Sequence, residues 1–185
     1  TDLDSAIKDL YGKAPDARDI YLRATYYIVD GTTSSMMPTP AVLGPITVTP
    51  VGPVIEEAYY LVGDLNGWAL GALDESYQFS HSGADVYEDP IFSILVNGME
   101  GKFKIAPQSA NENSDWSAVF GNTVSDGNTE LEGVLLADGG AMRVEQPGWV
   151  RVTINMMEGM YTIELIGEMN LNLYVPGGHQ GWDPE

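Results

Sequence analysis

Residues 149–167 read WVRVTINMMEGMYTIELIG. Val150, Val152 and Ile154 alternate with polar residues, so they share one face of a strand. Tyr161, Ile163 and Leu165 repeat the pattern after the MMEGM break, and the two runs fold back on each other as a hairpin. Such a hairpin buries one face only, and needs further strands to cover it.

Moving upstream, the same short alternating runs recur: AMRVE, GVLLA, GKFKIAP, IFSILV, YQFSH and AYYLVG. Gly, Asn, Asp or Pro stands at nearly every break. Eight short strands within residues 57–167 predict an all-β fold, a β-sandwich. Trp149 opens its strand and reads as a core residue. Residues 1–50 look different. TDLDSAIKDLYG carries Thr1, Asp2 and Asp4 as capping candidates, Leu3, Ile7 and Leu10 at helical spacing, and Gly12 as a stop. In DIYLRATYYIV, Ile20, Leu22, Ala24, Tyr26 and Ile28 alternate as one strand, and Asp30-Gly31 signals a turn. MMPTPAVLGP reads as irregular and ITVTP as a short strand. One helix with two or three strands is too little for a stable sandwich, so this segment reads as part of a larger domain. VGPV lies within a linker over 51–56.

A repeat extends the reading downstream. YYLVGDLNGWAL (59–70) aligns without gaps to NLYVPGGHQGWDPE (172–185), matching Tyr60, Gly63, Gly67 and Trp68 to Tyr174, Gly177, Gly181 and Trp182. Tandem modules are the expectation, with residues 168–185 opening a second one. Its segment LNLYV is expected to pair with an exposed sheet edge.

Composition bounds the chemistry. The chain has 8 Lys+Arg against 27 Asp+Glu, a formal charge of −19. Nucleic acid and anionic membranes need a basic surface, so both are poor partners. The acidity by itself is explained by solubility. With no Cys, disulfides and thiolate metal sites are excluded. No apolar run approaches the roughly 20 residues that span a bilayer. No signal-peptide pattern is present, so any targeting segment is expected upstream or already removed.

Two stretches stand out as candidate ligand contacts: the turn that carries Trp68, and GKFKIAPQSANENSDWSAVFG with Lys102, Lys104 and Trp116. Trp68 sits at a strand end between glycines and Asn, where it serves either as a plug over its own sandwich or as an exposed platform. A sugar ring offers an apolar C–H face that stacks on an indole, adding about 0.5–1.5 kcal/mol beyond area burial. Lys104 alternates with Lys102 on one strand face, and Trp116 follows in a loop rich in Gln, Ser and Asn. These groups donate and accept toward hydroxyls, although a solvated strand face with an ordinary polar loop explains them equally. Asp126, Asn128 and Glu130 form a polar turn that lacks the EF-hand spacing, which leaves Ca²⁺ the weaker reading. Catalysis finds no motif: the two histidines, His81 and His179, lie in separate segments, and no nucleophile elbow or metalloprotease helix appears. A carboxylate pair for glycoside hydrolysis needs a cleft that one small sandwich seldom provides. No enzyme, cofactor or metal is expected.

YYLVGDLNGW, GKFKIAP…DW and above all LYVPGGHQGWDP resemble the starch-binding repeats of SusE/SusF-type outer-membrane lipoproteins. The first fifty residues resemble the later half of the Ig-like domain that precedes those repeats. The resemblance implies a non-catalytic binder of starch or a related α-glucan. It would sit at the cell surface, lipid-anchored through a region N-terminal to Thr1, with an outer-membrane transporter complex as a partner. By position it implies Trp68, Lys104 and Trp116 as ligand contacts. ALGALDES follows the first Gly-Trp where GWDP follows the second, a departure that keeps a second reading open: a structural spacer or docking module with no ligand.

Overall fold

The computed structural model describes residues 2–169. The chain divides into two compact units, Thr1–Val54 and Ile55–Glu185.

In the first unit, α1 (Leu3–Tyr11) starts at Asp2, whose Oδ1 accepts the Ser5 N–H at 2.8 Å, and ends at Gly12 with φ 87°. The cap satisfies a backbone donor that the first turn leaves unpaired. Only Ile7 of the expected apolar stripe is buried; Leu3 and Leu10 are exposed. The single strand expected over DIYLRATYYIV is two strands. β1 (Arg18–Ala24) pairs with β4 (Ala41–Val48), while β2 (Tyr27–Asp30) pairs with β3 (Thr33–Met36) about the Asp30-Gly31 turn. The β1–β4 register slips between Ile20 and Leu22, where Gly44 and Pro45 together face Tyr21. Ile20 is buried, whereas Leu22 is exposed. β4 begins inside the Pro-rich stretch that reads as irregular, because Pro45, lacking an N–H, sits at the bulge.

Among the described residues the second unit holds eight strands. They are β5 (Tyr59–Gly63), β6 (Ile91–Asn97), β7 (Gly101–Pro107), β8 (Phe120–Asn122), β9 (Glu132–Ala137), β10 (Met142–Val144), β11 (Trp149–Asn155) and β12 (Met160–Gly167). The β11–β12 hairpin pairs Val150 with Leu165, Val152 with Ile163 and Ile154 with Tyr161, as the alternation predicts. One layer contains β5, β7, β8 and β10; the other contains β12, β11 and β6. β9 joins them, pairing with β8 through Leu135–Ala137 and with β12 through Glu132–Val134. YQFSH is not a regular strand. Gln78 bridges to Tyr60 and Ser80 to Ser93, so this segment stitches β5 to β6 and nearly closes the sheet. Phe79 between them is buried. The fold is an all-β sandwich, with β8 and a helix, α2 (Gln108–Asn113), as elements that the polar composition of their stretch conceals.

The core between the layers is filled by Tyr59, Leu61, Phe103 and Ile105 from one side and Phe92, Val152, Ile154 and Tyr161 from the other. Each such side chain contributes about 1.5–3 kcal/mol on burial. Tyr59 meets Phe92 edge-on at 4.9 Å, a favoured geometry for aromatic rings. Burial pushes the Tyr59 hydroxyl up to about 12. Trp149 is half-buried and not a core residue. In strict alternation it shares a face with Arg151, opposite Val150.

Candidate functional site

The outer face of β5 and β7 carries a second, smaller apolar cluster. Tyr59 and Leu61 point into the sandwich, so Tyr60 and Val62 point out; Phe103 and Ile105 point in, so Lys104 and Ala106 point out. Over Val62 and Ala106 lie Leu73, Ala110 and Val119, with Trp68 partly buried against them. The stretch that covers this face is α2 together with the turns that flank it.

GDLNGW (63–68) is held from within. The Asn66 amide accepts the Gly63 N–H at 2.9 Å and donates to the Leu61 carbonyl at 2.8 Å. Gly67 takes φ 64°, and Trp68 follows in the same left-handed region at φ 59°. That conformation suits glycine but costs a bulky aromatic residue about 1–3 kcal/mol. Two hydrogen bonds hold Trp68 in it. Its backbone N–H donates to the Gly63 carbonyl at 2.9 Å, and its indole Nε1–H donates to Asp64 Oδ1 at 2.7 Å. Asp64 Oδ2 accepts the backbone N–H of Lys102 at 2.7 Å, tying the turn to β7. The Lys102 N–H, then the indole N–H, hold the Asp64 carboxyl below its ordinary 3.8.

Trp116 opens a 3₁₀ turn, Trp116–Ala118, capped by Asp115, which accepts from the Ser117 N–H at 3.0 Å and hydroxyl at 2.7 Å. Its indole is 40% exposed. The two tryptophans, remote in sequence, stand with ring centroids 6.1 Å apart and planes inclined at 44°. Asn111 on α2 brings them together. Its side chain accepts from the Gly71 and Leu73 N–H groups at 2.9 and 3.3 Å and donates to the Leu73 carbonyl at 3.0 Å. This clips the loop after Trp68 onto the helix that leads to Trp116. Neither Asp64 nor Asn111 stands out in the sequence; Asp64 is an Asp beside glycines in a turn, a residue type that bonds nearby backbone, whereas Asn111 sits in a short polar helix and bonds backbone about 40 residues away.

Lys104 lies on the same outer face, opposite Val62 on β5. It is half-buried. Lys102 commits its ammonium to Asp126 at 2.5 Å, whereas Lys104 only adds a weaker electrostatic pull on that carboxylate. The structure therefore brings Trp68 and Trp116 together and places Lys104 on their sheet face. Asp126 is drawn into the Lys102 pair and a bond from the Ala141 N–H, while the Asn128 amide donates to Glu130 at 3.3 Å. His179 and Trp182 lie outside the described residues.

A hollow of about 680 Å³ lies elsewhere, lined by Glu57, Glu75, Gln78, His81 and Asp85. His81 stacks on Phe92 at 4.4 Å and contacts the Asp89 carbonyl at 2.6 Å and the Gly83 N–H at 3.2 Å, so both of its ring nitrogens are occupied by backbone. Phe79, also in its lining, is buried and presents no ring face there. Among the described residues no group of three or more His, Cys, Asp or Glu is placed to hold a metal ion.

The second unit is thus an all-β sandwich that carries a tilted tryptophan pair on its outer face. Residues 54–165 match the family described as SusF, first starch specific CBM, and the chain belongs to that family. The chain is also similar to the crystal structure of SusF from Bacteroides thetaiotaomicron, at 21% sequence identity and a TM-score of 0.50, over 88% of this chain and 36% of that one. It thus spans about a third of that protein's length. At this identity the likeness speaks to the fold alone. No curated protein sequence matches the chain.

Proposed function

We propose that the chain is a non-catalytic binding module for starch or a related α-glucan, with Trp68 and Trp116 as stacking platforms and Lys104 as a donor to sugar hydroxyls. The observation that carries this is the ring pair, 6.1 Å apart and inclined at 44°, with Trp116 40% exposed. An α-linked glucan coils, so successive glucose rings turn relative to one another. Two inclined platforms follow that turn; two coplanar ones suit a flat chain. Family membership supports starch as the ligand class. Two stacking contacts with a few hydrogen bonds reach roughly −4 to −8 kcal/mol, a millimolar to micromolar dissociation constant.

The proposal extends to the whole protein. Residues 1–50 belong to an Ig-like domain, 51–56 to a linker, 57–167 to the module and 168–185 to the start of a second repeat. The complete protein is a surface lipoprotein of the outer membrane that holds glycan near a transporter complex. A ligand-free spacer has no observation in its favour, since it calls for sunken indoles and Trp116 is open.

The test is gel retardation by amylopectin together with titration by maltoheptaose. Retardation and saturable binding by the chain, both lost in Trp116→Ala, are the expected result. No retardation by amylopectin, and none across a panel of α- and β-glucans, would overturn the proposal.

A further inference from the structure

We propose that Asp64 is a positioning residue for glycan binding, its carboxylate aiming the Trp68 indole so that the two tryptophans form one surface. This rests on the glycan-binding reading above and names a residue outside the ligand contacts. Three observations converge on it. The carboxylate is split between two donors, Oδ1 toward the Trp68 Nε1–H at 2.7 Å and Oδ2 toward the Lys102 backbone N–H at 2.7 Å. One end of the clamp is thus anchored in the sheet, and the other grips the ring edge, while the ring itself packs partly buried against the outer apolar cluster. Trp68 occupies the left-handed region at φ 59°, an orientation that needs external support. Room for the carboxylate is provided by Gly101, at φ 128°, where an added Cβ would lie 2.5 Å from Asp64 Oδ2.

The donor count makes the role specific to a carboxylate. Asn at this position offers a single acceptor oxygen for two N–H groups, and its own NH₂ would then face a donor. The low set of the Asp64 carboxyl is in keeping with a charged acceptor serving both bonds.

The test compares the wild-type chain with Asp64→Ala, Asp64→Asn and, as a stability control, Val152→Ala in the core. Three readouts are taken: the tryptophan exciton couplet in far-UV circular dichroism, the thermal midpoint, and the dissociation constant for maltoheptaose. Asp64→Ala is expected to lose the couplet and weaken binding by about tenfold or more, the loss of a charged hydrogen bond at the platform. Asp64→Asn should fall between it and wild type. Val152→Ala should lower the midpoint yet keep couplet and affinity, which separates positioning from general destabilisation. An unchanged couplet with unchanged affinity in Asp64→Ala overturns the proposal. If that variant does not fold, the same result in Asp64→Asn overturns it. A wild-type chain that shows the couplet but binds no maltoheptaose sinks the glycan reading, and with it any role for Asp64 in binding. The couplet alone then decides the indole lock.

Discussion

The two faces of β7 behave as different materials. On the inner face Phe103 and Ile105 are sealed between the layers; on the outer face Lys102, Lys104 and Ala106 lie beneath or beside a thin cover of one short helix and several turns. The inner face is held by area removed from water, which is large and indifferent to direction. The outer face is held by a few aimed hydrogen bonds, from Asp64, Asn66, Asn111 and Asp115. Stability therefore resides mainly inside, and the capacity to present aromatic surface resides outside. A module that must leave indole exposed gives up core area there, and positions the ring with polar groups instead.

That division predicts stability effects that shrink outward while effects on ligand binding grow. Phe103→Ala should cost the most, about 3–5 kcal/mol, read as a lower midpoint in urea or heat. Alkaline titration probes the same face through Tyr59. Its neutral hydroxyl is the form the fold favours, and its folded value of about 12 lies above the ordinary 10.0. The stabilisation is full below pH 10 and is lost as pH rises toward 12. A tyrosinate absorbance step that coincides with unfolding in that window is the expected outcome; titration of Tyr59 near 10 in a folded chain would contradict it. Asn111→Ala leaves the Gly71 and Leu73 N–H groups without their acceptor, and should cost about 1–3 kcal/mol. It should also weaken the tryptophan couplet. Trp116→Ala comes last in stability, within about 0.5 kcal/mol as for exposed positions, yet it should abolish gel retardation by amylopectin. A large loss of stability in Trp116→Ala would blur the contrast between the faces.

How much of this was legible beforehand differs between elements. The 149–167 hairpin could be read to its register because both strands alternate cleanly and the turn between them is short. YQFSH carries the same alternation yet makes only single bridges, at Gln78 and Ser80. Alternation alone does not say how many partners a segment will find. β8 and α2 were hidden because FGN is too short to show a period and QSANEN has no apolar stripe. Trp149 resembles a core residue through its buried strand neighbours, but its own position has the opposite parity to Val150, Val152 and Ile154. Trp68 and Trp116 were visible as candidates, since a Trp in a Gly-Asn turn or a polar loop is chemically conspicuous. Asp64 and Asn111, whose hydrogen bonds hold the turns around them, were not, because an Asp in a turn and an Asn in a polar stretch both have many ordinary uses.

The all-β class and the pairing of the clearest strands are written in local alternation, because each depends on a period of two residues. That two tryptophans far apart in the chain meet at 6.1 Å is a property of the folded molecule. That meeting depends on α2 lying across the outer face of β5 and β7, on the Asn111 clip and on the Asp64 clamp. Such contacts are made between segments with no local pattern in common, so no reading of neighbouring letters contains them.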